Sequence, residues 1–307
     1  MRKNSFLCNK KEMVRRALES FSPGVKLFLT LAFFLAIAIL VGLGVQLLGL
    51  QSDLDGSKLH LANGVLWLKM GQLVQTILLF LVPAAICAFL FSSSPFNFLR
   101  LNKLAKGRTF LLVTLLSLSI APLVGLLSQL NGLVHLPSWA MAMENEGMVL
   151  TRAFLKVDTL NGLLFNIFLV GLLPAFAEEL FFRGLLQRLF AEWTKNIHAG
   201  IWISAAVFSA VHFQFLGFLP RMFLGALFGY LFYFSSSIWV SMTAHFINNS
   251  IGVVAYYLFV KGSIKVDPLS SEPVAVGSWM LFVSMAVVAL VLYNVYFIER
   301  ETTKVVK

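Results

Sequence analysis

Residues 171–190, GLLPAFAEELFFRGLLQRLF, set Glu178, Glu179 and Arg183 among Leu, Phe, Ala and Gly. Three charges in such a stretch need a reason. If the stretch lies in a membrane, each ionisable group there costs about 2.5–3.5 kcal/mol on insertion scales and is read as functional by default. The first question is therefore whether this segment crosses a membrane.

Composition answers it. Of 307 residues, 59% are hydrophobic and 12% charged, and the mean hydropathy is +0.84. Soluble domains carry about 25% charged residues. The apolar residues also come in long blocks, and runs of about 20 mark membrane-spanning helices. Eight segments qualify, roughly 25–50, 70–92, 109–130, 159–193, 197–215, 217–236, 237–259 and 275–298. Outer-membrane strands of about 10 alternating residues are absent from the pattern. The sequence thus predicts an all-α polytopic membrane protein of about eight transmembrane helices, with no internal repeat. The fourth segment is too long for a simple crossing and contains Pro174, which predicts a kink or break. The chain divides into a basic N-terminal segment (1–24), helices one to three with their loops (25–158), a core (159–260), and a last helix with its tail (261–307).

Charge predicts orientation. The net charge is +10. Sixteen of the 24 Lys and Arg fall at one side, in the N-terminal segment, at Arg100–Arg108, at Arg188 and Lys195, and in the C-terminal tail. Seven fall at the other: Lys58, Lys69, Arg152, Lys156, Arg221, Lys261 and Lys265. The positive-inside rule then places both termini in the cytoplasm, as an even number of crossings requires, most simply in a bacterial inner membrane. The basic balance is read as topology and lipid contact. No basic face sits on a polar domain, so nucleic acid is not an expected partner. Residues 1–26 are too polar and too long for a signal n-region, so no cleavable signal is expected. Residues 8–20 read either as a basic helix on the membrane surface or as a disordered tail. Cys8 and Cys87, one in the tail and one in a span, imply no disulfide framework.

The polar residues inside spans concentrate in one half of the chain. Glu178, Glu179 and Arg183 lie in the fourth, Phe208 and His212 in the fifth, and His245, Asn248 and Asn249 in the seventh. Glu179 and Arg183 are i and i+4, which predicts an ion pair on one helix face. Glu178 is rotated about 100° away and points elsewhere. His245 and Asn249 share a face by the same spacing, as do Phe208 and His212. If the fourth helix runs to about residue 193 and turns at 194–196, Glu178 and His212 lie at similar depth, about 22 Å from that turn. The predicted site therefore lies between helices four, five and seven.

A carboxylate in apolar surroundings can act as general base on a water. Histidines can orient that water, bind a metal such as Zn²⁺, or stabilise an oxyanion, and an asparagine amide can donate to an oxyanion. The set reads as hydrolytic, with His212 and His245 as the metal ligands if a metal is bound. Neither G-x-S-x-G nor H-E-x-x-H is present. Gly225 and Gly229 form a small-xxx-small pair that reads as close helix packing, and Asn248 as a helix contact.

E-E-x-x-x-R at 178–183, F-x-x-x-H at 208–212 and H-x-x-x-N at 245–249, in this order on membrane helices, resemble the three motifs of the CPBP (CAAX protease and bacteriocin-processing, or Abi) family of intramembrane proteases. The resemblance covers roughly 160–260. It implies an endopeptidase acting on membrane-associated or C-terminal peptide substrates; eukaryotic relatives remove the C-terminal tripeptide of prenylated proteins. It makes Glu178 the water-activating residue, with His212, His245 and Asn249 completing the site and Glu179 and Arg183 supporting it. Phe208 is read as packing. Metal-dependent and metal-free mechanisms both stay open. Two other functions compete: a proton-coupled transporter, against which there are no paired broken helices in two related halves, and a non-catalytic scaffold or immunity protein.

Overall fold

A computed structural model describes residues 18–47, 62–270 and 277–305. Most of the basic stretch 8–20, including Cys8, lies outside the described residues. Among these residues the secondary structure is entirely helical. In chain order the main helices are α1 (Pro23–Leu47), α2 (62–91), α3 (Gly107–Ser119), α4 (Ala121–Gly132), α5 (Ser138–Leu155), α6 (Leu160–Thr194), α7 (Ile197–Ala210), α8 (Phe218–Ser235), α9 (Ile238–Val260) and α10 (Ser278–Val305). Apolar side chains face outward: Phe28 is 70% exposed, Leu111 68% and Phe282 69%. Glu179, Arg183 and Gln187 are buried instead. That inversion of the soluble pattern suits a protein whose surround is lipid.

The eight expected crossings differ in length and apolar character. Among the described residues each of the eight segments is mainly helical; five helices, α1, α2, α6, α8 and α10, are long and apolar enough to cross, or six if α3 and α4 form one span. Those two meet at a 45° bend, because Pro122 has no N–H to continue the ladder of α3. α7 has only 14 residues, about 21 Å against a hydrocarbon core of about 30 Å. α9 has 23 residues and sufficient length, but His245, Asn248 and Asn249 dilute its apolar character. α5 was not foreseen; its Glu144, Glu146 and Arg152 hide it from any search for apolar runs.

No break occurs at Pro174. α6 runs on from Leu160 to Thr194. A wide π turn, Ile167–Leu172, precedes the proline, so the missing N–H falls where the ladder is already loosened. A second π turn, Leu180–Leu186, follows Glu179 directly. The turn to α7 is where the sequence puts it: Lys195 is left-handed, and Asn196 caps α7 by accepting from the N–H groups of His198 and Ala199. α6 and α7 touch at Gly200, where a Cβ would lie 2.7 Å from the backbone nitrogen of Ala191.

α8 packs against α7 at its two glycines, a Cβ at Gly225 lying 3.2 Å from Ala205 Cα and one at Gly229 3.0 Å from Ile201 Cγ2, and two side chains of α6 reach the carbonyls of those glycines. Arg183 Nη2 donates to the Gly225 carbonyl at 3.1 Å, and Gln187 Nε2 to the Gly229 carbonyl at 3.2 Å. Both pairs are spaced i, i+4, so two polar side chains of α6 read two bare backbone carbonyls of α8 in register. Loop contacts sort the chain into two ends. Arg188 reaches the Phe98 carbonyl, Ser237 the Lys103 carbonyl, and Lys106 N–H the Glu299 carboxylate. At the other end Arg152 pairs with Asp267 and Lys261 reaches the Asp158 carbonyl. These are the two groupings the charge count made.

Candidate active site

The predicted ion pair forms. Arg183 Nη1 lies 2.7 Å from Glu179 Oε1, both side chains being fully buried. The guanidinium also sits over the rings of Phe208 at 4.7 Å and Phe228 at 5.6 Å. A buried charge needs partners of this kind.

Glu179 does more than balance Arg183. Its Oε1 lies 2.9 Å from His245 Nδ1. An ionised carboxylate only accepts, so Nδ1 carries the hydrogen and donates. This turns Nε2 of His245 toward Glu178, 3.9 Å from Oε2. Glu178 is itself buried, and Oε2 has no hydrogen-bond partner. The rotation read from the sequence is therefore real: the two neighbouring carboxylates meet opposite nitrogens of one imidazole.

His212 sits just past the end of α7. Its Nδ1 is 2.7 Å from the Phe208 carbonyl. A carbonyl only accepts, so here too Nδ1 donates and Nε2 keeps its lone pair. Phe208 stands edge-on to both imidazoles, at 5.1 Å from His212 and 5.8 Å from His245. It is the buried spacer between them, in keeping with its reading as packing. Asn249, one turn beyond His245, donates through Nδ2 to the Val170 carbonyl at 3.0 Å. That bond ties α9 to the first π turn of α6 and leaves the second amide hydrogen of Asn249.

The site thus draws on α6, α7 and α9 as expected, and also on α8, which was missed. Phe228 of α8 stacks on His245 at 5.2 Å and 23°, and Gly225 accepts from Arg183. The Gly225/Gly229 spacing was visible; matching it to Arg183 and Gln187 would have brought α8 into the site.

The donor types suit zinc: two imidazole Nε2 lone pairs and an unpartnered carboxylate oxygen. The arrangement does not. Among the described residues no three His, Cys, Asp or Glu side chains gather closely enough to hold a metal ion.

Residues 160–251 match the family model described as type II CAAX prenyl endopeptidase Rce1-like. That region begins with α6, ends within α9 and contains all three motifs. A 90-residue stretch is 34% identical to the uncharacterized protein YpbD of Bacillus subtilis (strain 168), covering 28% of this chain and 43% of that protein. The match thus spans less than half of that relative's length. No solved structure matches. The chain carries an Rce1-like region, and the resemblance read from the three motifs holds across it.

Proposed function

We propose that the protein is an intramembrane endopeptidase in which Glu178 activates a water for attack on a peptide carbonyl. The observation that carries this reading is the buried, unpartnered Oε2 of Glu178 beside Nε2 of His245. A water between Glu178 and the two imidazoles loses one proton to Glu178 as it attacks the carbonyl carbon. The Nε2 lone pair of one imidazole, His245 or His212, accepts its other hydrogen and orients it. The oxyanion that forms takes a hydrogen bond from Asn249. As the C–N bond breaks, Glu178 returns its proton to the leaving amine. Glu179 and Arg183 do not touch the reacting atoms; they fix the tautomer and direction of His245.

The substrates are peptides or membrane proteins presented within or beside the bilayer, with C-terminal peptides as the CAAX-protease-like case. The membrane is a bacterial inner membrane, with both termini cytoplasmic. Purified protein incubated with a peptide library in detergent tests the activity, with products identified by mass spectrometry. Cleavage lost in Glu178→Gln supports the reading. Absence of any cleavage by the wild type favours the scaffold or transporter alternatives.

A further inference from the structure

His212 lies beyond the last turn of α7, tied back to it by Nδ1 on the Phe208 carbonyl. α7 ends at Ala210, and the chain turns through 211–217 before α8. The residue after His212, Phe213, has φ 52°, a left-handed conformation that is strained for a side-chain-bearing residue. Phe213 is 65% exposed, so its own packing does not hold the turn.

Polar contacts from three helices hold it instead. Arg221 of α8 donates from Nη1 to Gln214 Oε1 at 2.8 Å and from Nη2 to the Gln214 carbonyl. Gly217 makes room for this fork, since a Cβ there would lie 2.4 Å from Arg221 Nη1. Glu144 of α5 accepts from Leu216 N–H at 3.3 Å. Asn131 of α4 donates to the Phe215 carbonyl at 2.9 Å and accepts from Leu219 N–H at 2.7 Å. Glu144 and Asn131 are both buried, and both lie outside the Rce1-like region at 160–251.

We propose that Arg221, acting through Gln214 and backed by Glu144 and Asn131, is the positioning residue for His212. The clamp holds the strained 212–217 turn in the one shape that sets the imidazole against Phe208 and toward His245. α4 and α5 thereby complete a site whose reacting residues all sit on later helices. The inference rests on the endopeptidase reading for its catalytic consequence, but the clamp is a claim about where His212 is held.

Two measurements on the full-length protein in detergent test it. The first is the rate of diethylpyrocarbonate labelling of His212, followed by peptide mass spectrometry, which needs no turnover. Arg221→Ala and Gln214→Ala should each raise that rate severalfold over wild type. The second is kinetic: both variants should lower kcat with KM held, by up to about a hundredfold for a displaced catalytic group. Added methylguanidinium should restore part of the loss in Arg221→Ala only. If Arg221→Ala does not fold, Gln214→Ala carries the test. His212 labelling unchanged in the folded variants overturns the proposal, as does a rise in KM with kcat unchanged. A wild type that cleaves nothing, with labelling that still rises in the variants, sinks the protease reading and leaves the clamp standing.

Discussion

Nδ1 of His245 and Arg183 Nη1 converge on the same oxygen of Glu179, at 2.9 Å and 2.7 Å. One buried carboxylate therefore neutralises a guanidinium and orients an imidazole. Removing either charged partner leaves the other buried and unpaired, which costs about 3–5 kcal/mol. Glu179→Gln and Arg183→Met should each destabilise by that order in thermal or denaturant unfolding. The neutral double variant should cost less than either single change. Swapping the two charges should not restore activity, because an arginine at 179 cannot accept from His245. Additivity within about 0.5 kcal/mol in the double-mutant cycle would show that the two residues do not act as a pair.

Glu178→Gln keeps the size of the side chain and removes the base. Turnover should fall by about 10²–10⁴-fold, the range a positioned general base contributes. Insertion and thermal stability should stay close to wild type, since Oε2 of Glu178 makes no hydrogen bond that is lost. Full activity in this variant would overturn the mechanism.

The charges in GLLPAFAEELFFRGLLQRLF were legible because membrane helices rarely carry any, and i, i+4 spacing fixes which of them pair. Glu178 and His212 could be placed at similar depth because the Lys195–Asn196 turn is short and capped, so residue counts on either side translate into height. What could not be read has physical reasons as well. α8 enters the site through a backbone carbonyl, at Gly225, and no side chain announces that. α5 is amphipathic, so it gives no apolar run. Apolar composition also does not reveal that the helix of the fifth segment stops at Ala210, where the left-handed turn begins.

Gly200 and Gly229 separate two kinds of close approach. A Cβ at Gly200 meets backbone, the nitrogen of Ala191 at 2.7 Å and its Cα at 2.8 Å. A Cβ at Gly229 meets Oε1 of Gln187 at 2.6 Å, the far end of a flexible side chain. Overpacking costs about 1–3 kcal/mol. Gly229→Ala should fall at the low end, since Gln187 can withdraw at the loss of one hydrogen bond. Gly200→Ala should fall at or beyond the high end and also lower activity, because α7 must move away from α6 and takes His212 with it. Equal losses in the two unfolding curves would contradict this ranking.

The two ends of the helix bundle predict reporter signals. Ser237 reaches the Lys103 carbonyl and Lys106 the Glu299 carboxylate, so residue 103 and the start of the C-terminal tail share one face. With the excess of Lys and Arg there, fusions at residue 103 and at the C-terminus should both read cytoplasmic. Fusions at 140–150, in α5, should read external. Opposite signals from residue 103 and the C-terminus would break the topology.

The histidines decide between two chemistries, and a chelator test separates them. Nδ1 of His212 is committed to the Phe208 carbonyl and Nδ1 of His245 to Glu179. Each ring therefore presents only Nε2, which as a neutral lone pair can orient a water or bind a metal. Since no three potential ligands gather in the arrangement described, the expectation is that a strong chelator leaves kcat within about twofold of its starting value, well short of the losses expected from removing a catalytic group. His212→Ala and His245→Ala should still abolish most turnover, because the water is no longer oriented. Asn249→Ala should cost about 2.7–4 kcal/mol of transition-state stabilisation, the range for a lost oxyanion donor. Loss of activity with the chelator, recovery with Zn²⁺ and one metal per chain by elemental analysis would reverse the assignment. His212 and His245 would then be ligands, and the site would have to close around the ion for Glu178 to reach it.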